Sequence, residues 1–296
     1  MSRPITRRHA LLGAAVSMPF ISASAFAVTP TGTSTPAETK LRALEHQHGG
    51  RLGVFVRDTG SQAQLAHRAD ERFPMCSTFK FLLAAAVLKR VDDGKTRLDH
   101  EIDYGDKDLL DYAPVAKQHV ASGRLSVAAL CAAAVVWSDN TAANLLLNHL
   151  GGPQAVTAYA HSLGDMLTRL DRMEPALNTV PAGDPRDTTS PRAMVGDLQA
   201  ILVGDALSPV SRQRLEDWMV AAQTGRERLR AGVPATWRVG DKTGTGPNGS
   251  TNTIAILRPP QRAPLLAAIY YTSSKAPLKD REAVHAEIGR LIVESF

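Results

Sequence analysis

Cysteine is nearly absent: Cys76 and Cys131 are the only two in 296 residues. Two thiols cannot build a disulfide-stapled scaffold, so folding has to rest on an apolar core. Aromatic residues make up 5% of the chain and there is no basic run, which removes both the stacking platform and the charged stripe that a nucleic-acid partner needs. The nine histidines form no H-E-x-x-H or comparable ligand set. His46 and His48 sit beside Gly49-Gly50 at an expected helix end, where exposure is the ordinary outcome, so neither a metal nor another cofactor is expected. Near the amino terminus one apolar stretch is too short, and too broken by Gly13, Ser17 and Pro19, to span a membrane.

That stretch has another reading. Thr6-Arg7-Arg8-His9-Ala10-Leu11-Leu12 is a twin-arginine start, an apolar run follows to Phe20, and Ala25-Phe26-Ala27 is an A-x-A cleavage pattern. Residues 1–27 are therefore expected to be an export leader cleaved after Ala27, delivering an exported, periplasmic protein. The leader holds Arg3, Arg7 and Arg8 and no acid, so it accounts for three of the five net positive charges. What remains is long enough for one large domain or two closely packed ones. A monomer with no membrane association after cleavage is the expectation.

Val28 to Pro36 reads as a mobile Thr/Pro-rich tail. Helical spacing runs from Glu38 to His48, strand alternation from Arg51 to Asp58, and Gln64 to Arg68 reads as a hairpin partner. From Ser77 to Val220 almost everything reads as helix: 77–92, 126–136, 140–150, 153–163, 191–203 and 209–221. The connector Arg169 to Thr189 is long for a connection and carries three prolines and four acids, so a structured functional loop is expected there. Three more β-like runs follow, 237–243, 251–258 and 265–272, then an amphipathic helix from Asp280 to Ser295. Strands at both ends with helices between them imply an α/β fold. It is an antiparallel five-stranded sheet built from both chain ends (28–72 and 219–296) and flanked by helices, with an all-α domain (73–218) inserted.

Four short stretches at element boundaries carry chemistry-bearing residues. Cys76-Ser77-Thr78-Phe79-Lys80 contains the single S-x-x-K of the chain. A spacing of three on a helix puts hydroxyl and amine on one face, an arrangement that can activate a serine, and the helix dipole favours negative charge there. A serine capping a core helix beside a snorkelling lysine explains the same residues equally well. Ser138-Asp139-Asn140 lies between two helices, where one of the three is expected to be an N-cap. Lys242-Thr243-Gly244-Thr245-Gly246 closes a strand in glycine, which by itself is an ordinary strand end. Glu174-Pro175-Ala176-Leu177-Asn178 sets a carboxylate and a carboxamide near each other in the long connector, as a surface turn also does.

Together and in this order, the motifs resemble the serine penicillin-recognising enzymes, whose signature is S-x-x-K, S-D-N and K-T-G. The added E-x-x-L-N loop makes the chain similar to class A serine β-lactamases in particular. The resemblance covers the mature chain, including Asp111-Tyr112-Ala113-Pro114-Val115 and Arg186-Asp187-Thr188-Thr189. It implies a hydrolase acting on small-molecule β-lactams, and so antibiotic resistance. Ser77 would be the nucleophile, with either Lys80 or Glu174 (through a water) as acylation base. Lys80, crowded by Lys242, is expected to have a lowered pKa. Ser138 would relay a proton to the leaving nitrogen and Asn140 would hold the substrate's side-chain amide. Backbone N–H groups of Ser77 and Thr245 would form the oxyanion hole. Lys242, Thr243, Gly244 and Thr245 would form the carboxylate site, Asn178 would help Glu174 hold the deacylating water, and Tyr112 would wall the entrance.

Departures from the family are informative. Thr251 stands where many relatives have an arginine supporting the carboxylate site, and Arg228 matches the alternative source of that guanidinium. Cys76 and Cys131 match family disulfide positions, but Gly246 and Ala84 occupy the partner positions, so two buried, unpaired thiols are expected. Arg172 and Asp187 are expected to close the long loop. A D,D-peptidase needs the first three motifs without Glu174, and a non-catalytic β-lactam sensor would normally be membrane-tethered; Glu174 speaks against both.

Overall fold

The computed structural model describes Met1 and residues 35–296; the leader and most of the Thr/Pro-rich stretch lie outside the described residues. Helix α1 (Pro36–His48) begins earlier than its apolar spacing suggests. Thr35 Oγ1 accepts from the Glu38 backbone N–H at 3.2 Å, while the Thr35 N–H donates to Glu38 Oε2 at 3.0 Å, a reciprocal cap with Pro36 in the first turn. Thr35 and Pro36 are thus part of the helix, not of a tail.

Strands β1 (Arg51–Asp58) and β2 (Gln64–His67) form the first hairpin, and β3 (Phe73–Pro74) leads to a 3₁₀ turn at Cys76–Thr78. Helix α2 (Phe79–Asp92) follows and is fully buried from Phe79 to Leu88 except at the edge of Ala86. A helix apolar all round has to be a core helix. The stretch beyond it is less uniformly helical than its composition suggests. Short strands β4 (Glu101–Asp103) and β5 (Arg124–Ser126) pair on either side of α3 (Ala116–His119), because three-residue segments carry no readable periodicity. Helices α4 (Val127–Val136), α5 (Asn140–Leu150) and α6 (Gln154–Ser162) come next. Strand β6 (Thr188–Thr189) pairs with β3, and α7 (Pro191–Leu202) and α8 (Pro209–Val220) complete the helical part.

The chain then returns to the sheet with β7 (Arg238–Gly246), β8 (Ser250–Arg258) and β9 (Leu265–Thr272), and ends in α9 (Leu278–Ser295). The five-stranded order is β2-β1-β9-β8-β7, antiparallel throughout, with β1 of the amino-terminal end against β9 of the carboxy-terminal end from Arg51↔Thr272 to Asp58↔Leu265. Strand β7 does not stop at Thr243. It continues paired through Gly244↔Asn252 and Gly246↔Ser250, so the K-T-G stretch is sheet edge and not strand end.

Period-two alternation sorts the sheet into two cores. Phe55, Ile254, Ile256, Leu266, Ala268 and Tyr270 face α2 and the helices around it, whereas Val54, Val56, Ala255, Leu257, Ala267 and Ile269 face Leu41 of α1 and Val284, Ile288 and Ile292 of α9. Both faces are covered, which is why β9, and β8 from Ile254 to Leu257, read as continuous apolar runs. Each such side chain contributes about 1.5–3 kcal/mol by burial.

On the outer face α9 runs very close to the 3₁₀ turn Leu229–Gly232: a Cβ on Gly232 would fall 1.9 Å from the Ala286 carbonyl oxygen, and one on Gly289 2.6 Å from that of Leu229. Gly232→Ala is therefore expected to destabilise the protein by about 1–3 kcal/mol. A thermal midpoint unchanged from wild type would show that the helix can move away at no cost.

Candidate active site

The turn bearing Ser77 is held from three sides. Asn252 on β8 donates to the carbonyls of Pro74 (2.9 Å) and Met75 (3.0 Å), and Thr78 Oγ1 donates to Met75 at 2.8 Å. From β7, Gly244 approaches so closely that a Cβ there would lie 2.8 Å from the Met75 oxygen and 3.2 Å from the Ser77 nitrogen. Cys76 has φ of +45°, a region that non-glycine residues seldom enter and that costs on the order of 1 kcal/mol. Ser77 does not cap α2: the cap position is Thr78, and no side-chain cap bond is made.

Lys80 is wholly buried, and its ammonium contacts Asn140 Oδ1 (2.6 Å), the Ser138 carbonyl (2.8 Å), Glu174 Oε1 (3.0 Å) and Ser138 Oγ (3.5 Å). Ser77 Oγ donates to the same Glu174 oxygen at 3.3 Å. The expected direct pairing of Ser77 with Lys80 is thus replaced by a shared carboxylate, because a buried ammonium is drawn to the nearest anion before a neutral hydroxyl. Burial pushes Lys80 below the usual amine range, with the Glu174 and Asp139 charges opposing. The lowered pKa has the expected direction, with burial as its first cause. Lys242 is likewise held well below its usual range, by burial and then by the Lys80 charge, so the two lysines crowd each other. Lys242 Nζ donates to Ser138 Oγ at 3.0 Å and to the Thr243 carbonyl at 2.7 Å.

In Ser138-Asp139-Asn140 the capping residue is Asp139. Its Oδ1 accepts from Ala142 N at 2.8 Å, and its Oδ2 accepts from Val115 N and Ala116 N at 2.9 Å each. That leaves the side chains on either side to face the site, with Ser138 at φ of +60°. The Asn140 N–H donates to the Tyr112 carbonyl at 3.0 Å, tying the Tyr112 segment to the motif.

Glu174 is fixed by backbone as well as side chain. Its N–H donates to Asn144 Oδ1 and its carbonyl accepts from Asn144 Nδ2, both at 2.9 Å. Asn178 Nδ2 donates to Glu174 Oε2 at 2.5 Å, while Asn178 Oδ1 is buried and unpartnered. The loop closes as expected: Arg172 Nε meets Asp187 Oδ2 at 2.6 Å, and Asp187 Oδ1 accepts from Asp171 N (2.8 Å) and Arg172 N (3.0 Å).

Arg228 is buried, its pKa lowered by that burial, and donates to the carbonyls of Gly244 (3.0 Å) and Asn252 (2.9 Å) and to Thr245 Oγ1 (2.7 Å), with Glu282 at 3.3 Å. Thr251 instead accepts from Arg281 at 2.7 Å. Ser77, Tyr112, Ser138, Asn140, Asn178, Arg228, Thr243 and Thr245 line one cavity of about 310 Å³, joined by Thr224, whose hydroxyl lies 2.6 Å from that of Thr243. A larger hollow of about 830 Å³, between Val180–Asp184 and Thr272–Lys275, contains none of these groups. Asn144, Thr224, Asn252 and Glu282 are the contributors that sequence reading missed. They are single polar residues within helices, a connector or a strand, and only three-dimensional proximity gives them a role.

A constellation of serine, two depressed lysines and a carboxylate on a pinned loop narrows the possibilities, and comparison with known proteins decides among them. Residues 36–296 match the model of the β-lactamase enzyme family. The chain is similar to the β-lactamase Toho-1 of Escherichia coli (43% identity, 98% of each chain) and to the β-lactamase AST-1 of Nocardia asteroides (46% identity over 89% of this chain and 85% of that one). An ancestral Gram-negative class A β-lactamase superposes with a TM-score of 0.86 at 60% identity, covering 88% of this chain and all of that one. The protein belongs to the class A β-lactamases.

Both cysteines of this β-lactamase are buried and unpaired. Burial, with the Glu174 charge, pushes the Cys76 thiol up to about 12, and burial raises Cys131 as well, so neither is a reactive thiolate. Among the described residues no helix is long and apolar enough to cross a membrane, and no group of three or more His, Cys, Asp and Glu could hold a metal.

The approach of β7 to the Ser77 turn has a direct consequence. Gly244→Ala should push the Met75 and Ser77 backbone outwards and lower kcat/KM by roughly 10²-fold, the scale of a displaced reacting group. Wild-type kinetics in that variant would show that the turn tolerates displacement.

Proposed function

We propose that the chain opens the amide of β-lactam antibiotics by forming an acyl-enzyme on Ser77, which water then hydrolyses with Glu174 as base. The observation that carries this reading is Glu174 Oε1, which lies 3.3 Å from Ser77 Oγ and 3.0 Å from Lys80 Nζ. One carboxylate in reach of both the nucleophile and its lysine can take a proton, directly or through a water, in either half of the reaction.

Ser77 Oγ attacks the lactam carbonyl and its proton passes to Glu174, directly or through a water, or to Lys80 once the ammonium has given a proton to Glu174. The oxyanion is received by the Ser77 and Thr245 backbone N–H groups, where each donor is worth on the order of 10²- to 10³-fold. Ser138, bonded to Lys242 and within 3.5 Å of Lys80, hands a proton to the departing nitrogen. Lys242, Thr243, Gly244 and Thr245 hold the substrate carboxylate, with Arg228 orienting Thr245 from beneath. Asn140 spends its oxygen on Lys80, which leaves its amide N–H₂ for the substrate's side-chain carbonyl. Tyr112, half exposed, walls the cavity mouth. Asn178 and Glu174 position the attacking water, for which the unpartnered Asn178 oxygen is a ready acceptor.

The site on this reading lies along the seam between the helical domain (73–218) and the sheet domain (28–72 and 219–296). The substrates are small molecules, and the enzyme works as a monomer, exported by the twin-arginine route to the periplasm and conferring antibiotic resistance.

Wild-type protein should hydrolyse a chromogenic cephalosporin steadily, while Glu174→Ala gives one burst of product per active site and then a rate lower by about 10²- to 10⁴-fold. A burst without turnover in wild type would instead indicate a β-lactam sensor or D,D-peptidase. Arg228→Ala removes a charge-assisted support worth about 1.5–3 kcal/mol and should raise KM roughly 10- to 100-fold; unchanged kinetics would remove Arg228 from the site.

A further inference from the structure

Three buried carboxylate oxygens cluster away from the reacting groups, under the start of the 169–189 loop. Asp197 of α7 is 1% exposed and neither of its oxygens meets a donor, and Asp165 Oδ2 is likewise buried without one. The two carboxyl groups lie within hydrogen-bonding reach of each other, on the wall of one cavity. Asp165 uses its other oxygen, Oδ1, to accept from Leu167 N (2.8 Å) and Thr168 N (2.9 Å). From Thr168 the chain enters the loop through the Thr168–Thr189 hydroxyl contact (2.6 Å) and the Arg169 N–H to Thr188 carbonyl bond (3.1 Å).

We propose that Asp165 and Asp197 share a single proton, Asp197 donating it to Asp165 Oδ2, and that this carboxyl–carboxylate clasp positions the loop that carries Glu174.

Two facing ionised carboxylates in a site this dry would repel each other strongly. A proton between them gives each buried oxygen a role and lowers the pair's charge to −1. The surroundings offer no other neutralising group. Tyr159 of α6, its buried hydroxyl unpartnered, and Tyr270 of β9, bonded to Thr78 at 3.2 Å, are uncharged, and Asp92 of α2, which acts on Tyr159, is a further acid and not a counter-charge. Arg72 and Arg192 line the same cavity with Asp70, but Arg72 is engaged by the Leu167 carbonyl and Thr188, and Arg192 by Asp70. Among the described residues no group of three or more His, Cys, Asp and Glu could hold a metal ion there. Burial first, then the Asp165 charge, raises the Asp197 pKa well above its usual value, the direction that a retained proton requires.

The sign of the pH dependence follows. Unfolded Asp197 loses its proton near pH 4, whereas folded Asp197 keeps it, so the native state binds more protons and stability falls as pH rises from there through the folded pKa. Asp197→Asn keeps a donor towards Asp165 with no proton to lose. The thermal midpoint of the full chain should therefore fall with pH more steeply in wild type than in Asp197→Asn, by about 3 °C per pH unit between pH 5 and 8. Asp197→Leu, which has no donor, should lie below both at pH 5. Equal slopes for wild type and Asp197→Asn overturn the shared proton. So does a wild-type midpoint raised by added sodium, potassium or calcium chloride and insensitive to them in Asp197→Asn, which would identify a cation site instead.

The positioning role rests on the reading of Glu174 as deacylating base and has its own readout. Deacylation in Asp197→Leu should slow roughly tenfold with acylation retained, and Asp197→Asn should restore it. If Glu174→Ala leaves deacylation intact, the base assignment fails while the stability comparison still tests the clasp; if Glu174→Ala abolishes it and Asp197→Leu deacylates normally, the clasp has no positioning role.

Discussion

A buried ion pair stands at the centre of this molecule. Lys80 and Glu174 meet at 3.0 Å with both side chains fully shielded from solvent, and stripping water from two charges costs several kcal/mol per ion before their attraction repays any of it. Such a pair survives only where most of the polar atoms around it are engaged, and Asn178 Oδ1 is the exception here. Here Lys80 is also bonded to Ser138 and Asn140, and Glu174 to Asn178 and Ser77. The surrounding architecture supplies those partners from four separate parts of the chain: the head of α2, the α4–α5 junction, the long loop, and, through Ser138, the edge strand β7.

The loop carrying Glu174 is held in a different manner from the rest of the fold. Where the sheet and α2 rely on apolar burial, this segment relies on polar fastenings: Arg172 to Asp187, Asn144 to the Glu174 backbone, Thr168 to Thr189 and Asp165 beneath Leu167. Hydrogen bonds are directional, so such a segment is held in one geometry, with Leu170, Leu177 and Val180 as its buried apolar side chains. Cys76, Ser138 and Asp187 all have positive φ. Strained backbone thus falls on the residue before the serine, on the first residue of the S-D-N stretch and on the loop's closing aspartate, where surrounding contacts over-determine it.

The fold was legible in the sequence to the extent that periodicity was. Alternation in 51–58, the unbroken apolar run of 265–272 and the apolar helix after Ser77 identified sheet and core, because burial leaves its mark in the residue types. Strands of two or three residues, such as Phe73–Pro74 and Thr188–Thr189, leave no such trace, nor does the continuation of β7 through Gly244 and Gly246, where glycine argues against a strand. The site was legible through motifs, since Ser77, Ser138, Glu174 and Lys242 each sit in a recognisable local pattern. Asn144 and Thr224 carry no pattern and are found only by where they point. Linear order is also silent on Lys80: its neighbour in function is a carboxylate nearly a hundred residues on, and the first cause of its lowered pKa is burial.

The pairing of β1 with β9 sets the order of events when the chain is made. On a ribosome the amino-terminal strand emerges early and has to wait for its central partner until residues 265–272 have been synthesised. Until then the sheet lacks its middle, Asn252 and Gly244 have no completed sheet from which to pin the Ser77 turn, and the cavity cannot close around a ligand. Assembly is consequently a late, nearly all-or-none event dominated by contacts distant in sequence, which is the slow regime of folding. The newborn chain spends that interval with its apolar strands uncovered, the period in which aggregation competes.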